Sequence, residues 1–410
     1  MKTYRGLVPA LALVFVLGGC GPAPAATGAV PSVAPTATTA AVTSTAPASA
    51  PPTRTPTAFP IAVFAGLRDE PVSEALAAEL QSVLDASSNG DGLTATLITT
   101  EGTWSGATGL AEGDRPMVPN DQMSIASITK TLVAAQVMQL IEGGKLALRD
   151  LAANRLPRDL EFDTNGATIE DLLSMRSGIS EYFVDESELL DALTRDRLHV
   201  WTLEEKLATV DPKRGPVGPE REWEYIGTNY LLLGLIIEQA TGRSVAEVLR
   251  SGVLSGDGYE RLIYQPDERP TDPMAMPRGA SADTFDDGGG YLPSIANATM
   301  FTAEGAMASD APTLARWLRS LCAGQVVSPA SLDDMTDLGK RPEYGLGIFD
   351  RRYEYGPASG ALGHTGYVRE GYRTVALCFQ NPAMVVVVLA NDDEHDVETA
   401  AGNLWRAAST

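Results

Sequence analysis

The stretch Met123-Ser124-Ile125-Ala126-Ser127-Ile128-Thr129-Lys130-Thr131-Leu132, running on to Leu140-Ile141-Glu142-Gly143-Gly144-Lys145-Leu146, decides the reading of this chain. Ile128, Leu132, Ala135 and Met138 recur at helical spacing, which predicts a helix over residues 127–142, and Gly143-Gly144 suit its C-terminal end. Ser127 and Lys130 are three residues apart, so both side chains fall on one face, one turn apart. Ser127 opens the helix, where the helix dipole favours developing negative charge. A lysine beside a serine can take its proton when burial or neighbouring groups hold the amine partly neutral.

A Ser-x-x-Lys pattern alone is common by chance, and two later stretches give it weight. The first is Tyr225-Ile226-Gly227-Thr228-Asn229-Tyr230-Leu231-Leu232-Leu233-Gly234, an aromatic residue directly before a strongly apolar helix. The second is Gly363-His364-Thr365-Gly366-Tyr367, which follows Tyr344-Gly345-Leu346-Gly347 and precedes Glu370-Gly371-Tyr372-Arg373. In this order and with this flanking text, the three motifs resemble the serine β-lactamase and penicillin-binding-protein family, in particular its class C and DD-peptidase branch. The resemblance extends from about Phe64 to the C-terminus. Two further stretches agree as markers of the fold: Leu172-Leu173-Ser174-Met175-Arg176-Ser177-Gly178 and Gly305-Ala306-Met307-Ala308-Ser309. Ser177 and Ser309 are therefore not nucleophile candidates.

The resemblance implies a serine hydrolase working through an acyl-enzyme. Ser127 is the nucleophile it implies, and Lys130 and Tyr225 move the proton. The backbone N–H groups of Ser127 and Tyr367 form the oxyanion hole, and His364, Thr365 and Gly366 belong to a substrate-binding strand. The implied activities are a D-alanyl-D-alanine carboxypeptidase or a β-lactamase of the cell envelope, with a carboxylesterase as the alternative on the same machinery. A non-enzymatic alternative is a module that binds cell-wall peptides or penicillins with little turnover. The family usually has Tyr-x-Asn where this chain has Tyr225-Ile226-Gly227, and Asn229 falls two residues too late to replace that asparagine. The missing amide raises the esterase reading. It also suggests that Gly227→Asn would favour amide and β-lactam substrates over esters.

Composition bounds the rest. The chain has 410 residues, with 31 Lys+Arg against 53 Asp+Glu, a formal net charge of −22. That charge excludes a nucleic-acid partner, which would need clustered positive charge, and indicates a self-repelling, soluble surface. Three dispersed histidines and the lack of Cys-x-x-Cys or His-Glu-x-x-His patterns argue against a metal site. No cofactor is expected. The partners expected are a small-molecule, peptide or ester substrate, and the chain is expected to be a monomer.

Lys2 and Arg5 followed by the apolar run Leu7 to Leu17 read as an export signal, too short to span a bilayer. Leu17-Gly18-Gly19-Cys20 resembles a bacterial lipobox, with Cys20 as the lipid-modified residue. The following stretch to Pro60 is almost all Ala, Pro, Thr, Ser, Val and Gly and suits a tether. The expected organisation is a signal over residues 1–19, an anchor cysteine and linker over 20–61, and a hydrolase domain over 62–410. The protein is expected on the outer side of the cell membrane. Cys322 and Cys378 could pair in an exported protein or remain two buried thiols.

The expected fold class is α/β in the α+β sense. Residues 93–100 and 103–110 read as a hairpin turning at Glu101-Gly102, and residues 374–379 and 384–390 as strands joined at Asn381-Pro382. Helices are expected over residues 70–86, 168–174, 203–210, 229–240, 312–321 and 397–408. Strands at both chain ends with helices between them predict one antiparallel sheet built from both ends, with a mainly helical insertion. The Pro-, Asp- and Gly-rich stretch over residues 257–298 reads as a surface excursion near the site.

Overall fold

A computed structural model of the chain describes residues 58–183, 186–218, 223–270, 274–278 and 294–410. The main sheet has six strands: β1 (Leu93–Thr99), β2 (Thr103–Thr108), β3 (Phe349–Asp350), β4 (Leu362–Val368), β5 (Tyr372–Gln380) and β6 (Ala383–Ala390). Their order is β2-β1-β6-β5-β4-β3, antiparallel throughout. The two ends of the chain meet at its centre, where β1 pairs with β6 from Leu93↔Ala390 to Thr99↔Met384. The sheet built from both termini is thus as expected, and the sequence between β2 and β3 forms the insertion.

The central strands are apolar on both faces because both faces are covered. Leu93, Ala95, Leu97, Val375, Leu377, Val386 and Val388 pack on one side. Leu80 and Leu84 of helix α1 (Glu74–Ser87) and Leu404 of the C-terminal helix Val397–Ala407 cover them. On the other face Ile98, Ala376, Val385, Val387 and Leu389 join the larger core. That core contains α2 (Thr129–Glu142), α4 (Thr228–Thr241) and α6 (Ala311–Cys322). Between α2 and α4 lies α3 (Glu186–Arg195), and α5 (Ile295–Gly305) precedes α6.

Cys322, the last residue of α6, is joined to Cys378 of β5 by a disulfide with both residues fully buried. Of the two states open from the sequence, the structure takes the bonded one. The bond spans 56 residues of sequence, so chain-entropy reasoning gives about 4 kcal/mol as an upper estimate of its contribution. The Cys322→Ala/Cys378→Ala variant is expected to unfold at a clearly lower temperature in a calorimetric scan. An unchanged midpoint would show that the bond adds nothing to the buried packing around it.

The stretch over residues 257–298 departs from expectation. Its described part is not a surface excursion. Ile263–Tyr264 forms a strand against Met307–Ala308, Leu262, Met274 and Ala275 are buried, and the Tyr372 hydroxyl donates to the Ala275 carbonyl at 2.6 Å. A two-residue strand has no periodicity to betray it among prolines and glycines. Residues 279–293 lie outside the described residues, as do Cys20 and the whole of residues 1–57.

Candidate active site

Ser127 lies in a short 3₁₀ turn, Ala126–Ile128, that leads directly into α2. Ala126 takes a positive φ of 44°, an uncommon conformation for a residue with a side chain. One turn on, Lys130 is almost wholly buried, 1% exposed. Its ammonium donates to Ser127 Oγ at 3.0 Å and to the backbone carbonyl of Glu304 at 2.9 Å. The carboxylate oxygen Oε2 of Glu304 is 3.4 Å away. The ammonium also lies 5.0 Å from the Tyr225 ring centre and 5.9 Å from that of Tyr230. Burial pulls the Lys130 pKa down, but Tyr225 and Glu304 outweigh it and hold the pKa above its ordinary value.

Tyr225 comes from the segment just before α4. Its ring stacks on Phe349 at 5.7 Å and meets His364 and Tyr344 at 6.0 and 6.1 Å. Its hydroxyl is buried without a full hydrogen bond. Burial raises its pKa, while Lys130 and Ser127 pull the other way. Ser127 and Lys130 of one motif and Tyr225 of another, nearly 100 residues on in sequence, are thus brought together.

The Gly363–Tyr367 motif lies on β4, whose far end runs beside the Ser127 turn. Gly366 is needed there: a Cβ would overlap the Ile125 carbonyl and lie 3.0 Å from its carbon. Tyr367 reaches the cavity beside Ser127, and its ring, half-exposed, sits under the Arg373 guanidinium at 5.5 Å. His364, Thr365 and Gly366 do not line that cavity. His364 is turned inward, 2% exposed, between the Thr365 carbonyl and the Tyr344 hydroxyl. Burial, with Lys130 nearby, lowers its pKa to about 3, so it is a neutral ring packed behind Tyr225. Ser177 and Ser309 are buried and bonded to Asn229 and to the Asp310 carbonyl. Asn229 is therefore occupied by Ser177 and by Met175 Sδ.

Two acidic residues of the site were not among those singled out from the sequence. Glu181 closes the N-terminus of α4, which has no side-chain cap of its own. Its carboxylate accepts from Gly227 N at 2.5 Å and from Thr228 N at 3.1 Å. Glu304, 5% exposed, accepts from the Tyr182 hydroxyl and faces Lys130. Its carboxylate lies where a side chain on residue 227 would have to go. Gly227→Asn would therefore have to displace that carboxylate before its amide could favour amide and β-lactam substrates over esters. A lone glutamate within the small and apolar run Ala303 to Ala308 was the available signal for Glu304.

Burial, and then the Glu304 charge, raise the Glu181 pKa to about 7, against the pull of the N–H groups of Gly227 and Tyr182. The folded protein therefore binds this proton more tightly than the unfolded chain does. Stability is expected to be highest at acid pH on this account and to fall as pH rises from about 4.5 to about 7. Comparing melting temperatures of wild type and Glu181→Gln across that window checks it. A wild-type slope that the variant does not flatten would contradict it.

The cavity in front of Ser127 measures about 460 Å³. Lys130, Glu181, Tyr225 and Glu304 form its polar end. The rest is mainly apolar, built by Phe183, Phe301, Val368 and three leucines of α3: Leu189, Leu190 and Leu193. Helix α3 was not expected, although Leu189 and Leu190 each stand one helical turn before Leu193.

Known proteins resemble this chain in sequence or in fold. The Beta-lactamase family profile matches residues 81–409. Penicillin-binding protein 4* of Bacillus subtilis (strain 168) is 29% identical over 155 residues, which cover 37% of this chain and 32% of the relative. The match thus spans about a third of that relative's length. Two solved structures show the fold. The D-amino acid amidase of Ochrobactrum anthropi SV3, complexed with L-phenylalanine amide, superposes with a TM-score of 0.66 at 20% identity. The alignment covers 82% of this chain and 99% of that one. The D-stereospecific amidohydrolase of a Streptomyces species gives 0.64 at 23% identity, covering 79% and 97%. With the profile matching over three quarters of its length, the chain belongs to the Beta-lactamase family, whose fold is that of serine hydrolases.

Proposed function

We propose that this protein hydrolyses amides or peptides of D-amino acids with a bulky apolar side chain, through an acyl-enzyme on Ser127. The observation that carries the reading is the mainly apolar cavity of about 460 Å³ that opens directly onto Ser127 Oγ and Lys130. The D-amino acid amidase and D-stereospecific amidohydrolase among the structural neighbours supply the stereochemical part of the proposal. In the mechanism, Ser127 Oγ bonds to the substrate carbonyl carbon as its proton passes to the Lys130 amine, directly or relayed by the Tyr225 hydroxyl, in the fraction of molecules whose Lys130 has first given up its own proton to solvent. The oxyanion is held by the N–H groups of Ser127 and Tyr367. Such donors contribute about two to three orders of magnitude each when aimed at the developing charge. The C–N bond breaks, the amine leaves with the proton, and water hydrolyses the ester to release the acid and free Ser127. His364 supports this site from behind, by packing against Tyr225.

The test is intact-protein mass spectrometry and turnover with D-phenylalanine amide, a D-Ala-D-Ala peptide, penicillin and nitrophenyl esters of increasing chain length. D-Phenylalanine amide is expected to turn over fastest. A preference for the D-Ala-D-Ala peptide would restore the carboxypeptidase reading. A stable penicillin adduct without turnover of any substrate would favour the binding module. A second reading, a carboxylesterase, is favoured by the carboxylate of Glu304 standing where an amide side chain at 227 would be. Turnover of the esters alone would establish it.

We also propose that the protein is lipid-anchored through Cys20 and faces the cell exterior or periplasm, as the lipobox-like Leu17-Gly18-Gly19-Cys20 suggests. Acyl chains anchor by roughly 0.8 kcal/mol per buried CH₂, so Cys20→Ala is expected to move the protein from the membrane to the soluble fraction. A variant that stays with the membrane would refute the anchor.

A further inference from the structure

Gly227 has φ −63° and ψ −35°, an ordinary right-handed helical conformation. Nothing in its backbone calls for glycine, whose advantage lies at positive φ. What excludes a side chain is Glu304. A Cβ on residue 227 would overlap Oε2 and lie 2.7 Å from the carboxylate carbon. That carboxylate is fixed from both ends, by the Tyr182 hydroxyl on Oε1 and by the Lys130 ammonium 3.4 Å from Oε2. The Glu304 backbone carbonyl takes a second Lys130 hydrogen bond at 2.9 Å. Helix α5 is broken at Thr302, two residues earlier, where φ is 20° and ψ −117°. Backbone strain of this kind persists only where the surroundings over-determine it.

We propose that Glu304 is a positioning residue that, from the space a side chain at 227 would occupy, holds Lys130 against Ser127 and sets the pH at which its amine can take the serine proton. This rests on the acyl-enzyme reading above. Lys130 is faced by Ser127 from its own turn, Tyr225 and Tyr230 from and before α4, Glu181 from the α4 cap, His364 from β4 and Glu304 from α5. Tyr182 and the buried Lys206 act on the cluster from behind Glu304. Among these only Glu181 and Glu304 are carboxylates. Glu181 spends its oxygens on the N–H groups of Tyr182, Gly227 and Thr228, whereas Glu304 touches Lys130 directly. An ammonium so deeply buried keeps its proton only while a counter-charge stands beside it.

The experiment follows labelling of Ser127 by a fluorophosphonate against pH, with thermal unfolding measured in parallel. Wild-type labelling is expected to rise with pH as Lys130 loses its proton. Glu304→Gln should move the midpoint of that rise down by about one pH unit or more. Gly227→Ala alone should lose stability and slow labelling roughly tenfold or more. In a Glu304→Gly background the same residue should accept alanine or asparagine with little loss. An unmoved pH midpoint in folded Glu304→Gln would overturn the electrostatic role. Equal destabilisation by Gly227→Ala with and without Glu304 would overturn the steric one. Absence of label on wild-type Ser127 is a separate result, which removes the acyl-enzyme reading and this proposal with it. The stability cycle needs no activity and tells the two failures apart.

Discussion

Ser127→Ala is expected to abolish covalent labelling by fluorophosphonates and to lower turnover by about three orders of magnitude or more, with little change in stability. The first part follows from the site: Ser127 carries the hydroxyl that Lys130 bonds at 3.0 Å at the apolar cavity, and Ser177 and Ser309 of the two fold-marker stretches are buried and bonded elsewhere. Loss of the nucleophile from a unit of this kind leaves only what binding and the oxyanion donors supply. The second part follows from the bonding of Lys130. Without Ser127 Oγ the ammonium still has the Glu304 carbonyl and carboxylate, so no buried charge is stranded. The folding cost should stay within about 1 kcal/mol, the net worth of one hydrogen bond. Mass spectrometry after labelling and a melting curve check both. Undiminished labelling of the variant would place the nucleophile on another residue.

Lys130→Ala should be worse on both counts. Removing the group that handles the serine proton costs about two to four orders of magnitude in turnover. It also leaves the carboxylates of Glu304 and Glu181 in a buried site without the ammonium that faces them. Stranding a buried charge costs about 3–5 kcal/mol, so this variant should melt well below Ser127→Ala. The loss should depend on pH in a definite direction. The Glu181 pKa is already raised to about 7, and Lys130 is one of the groups restraining it. Without Lys130 it rises further, and the protonated form is favoured in the fold. Stability of the variant is therefore expected to be greatest near pH 5 and to fall as pH rises through 7. Melting midpoints for Lys130→Ala that are equal at pH 5 and pH 8 would show that the cluster is not coupled in this way.

Much of this molecule is written in local pattern. The helical spacing after Ser127, the hairpin at Glu101-Gly102 and the apolar strands on either side of Asn381-Pro382 each depend on residues a few positions apart, and each appears where the pattern puts it. That strands from both chain ends share one sheet followed from the same reasoning, because apolar strands at both ends need partners, although which strands pair, β1 with β6, is settled only on folding. The meeting of Ser127 and Lys130 was equally legible, since one turn of helix fixes it. Three further things were decided only in three dimensions. His364 and Tyr367 lie on one strand, but which of them faces the cavity depends on what β4 packs against, and His364 is the one turned inward. Helix α3 closes the cavity with leucines whose destination no local rule supplies. Gly227 and Glu304 stand 77 positions apart, and each looks like an isolated oddity in its own segment. The sequence fixes residue types, but volume and charge in a core are shared between segments that meet only on folding. An absent side chain in one and a buried carboxylate in the other become a single feature beside Lys130 only there.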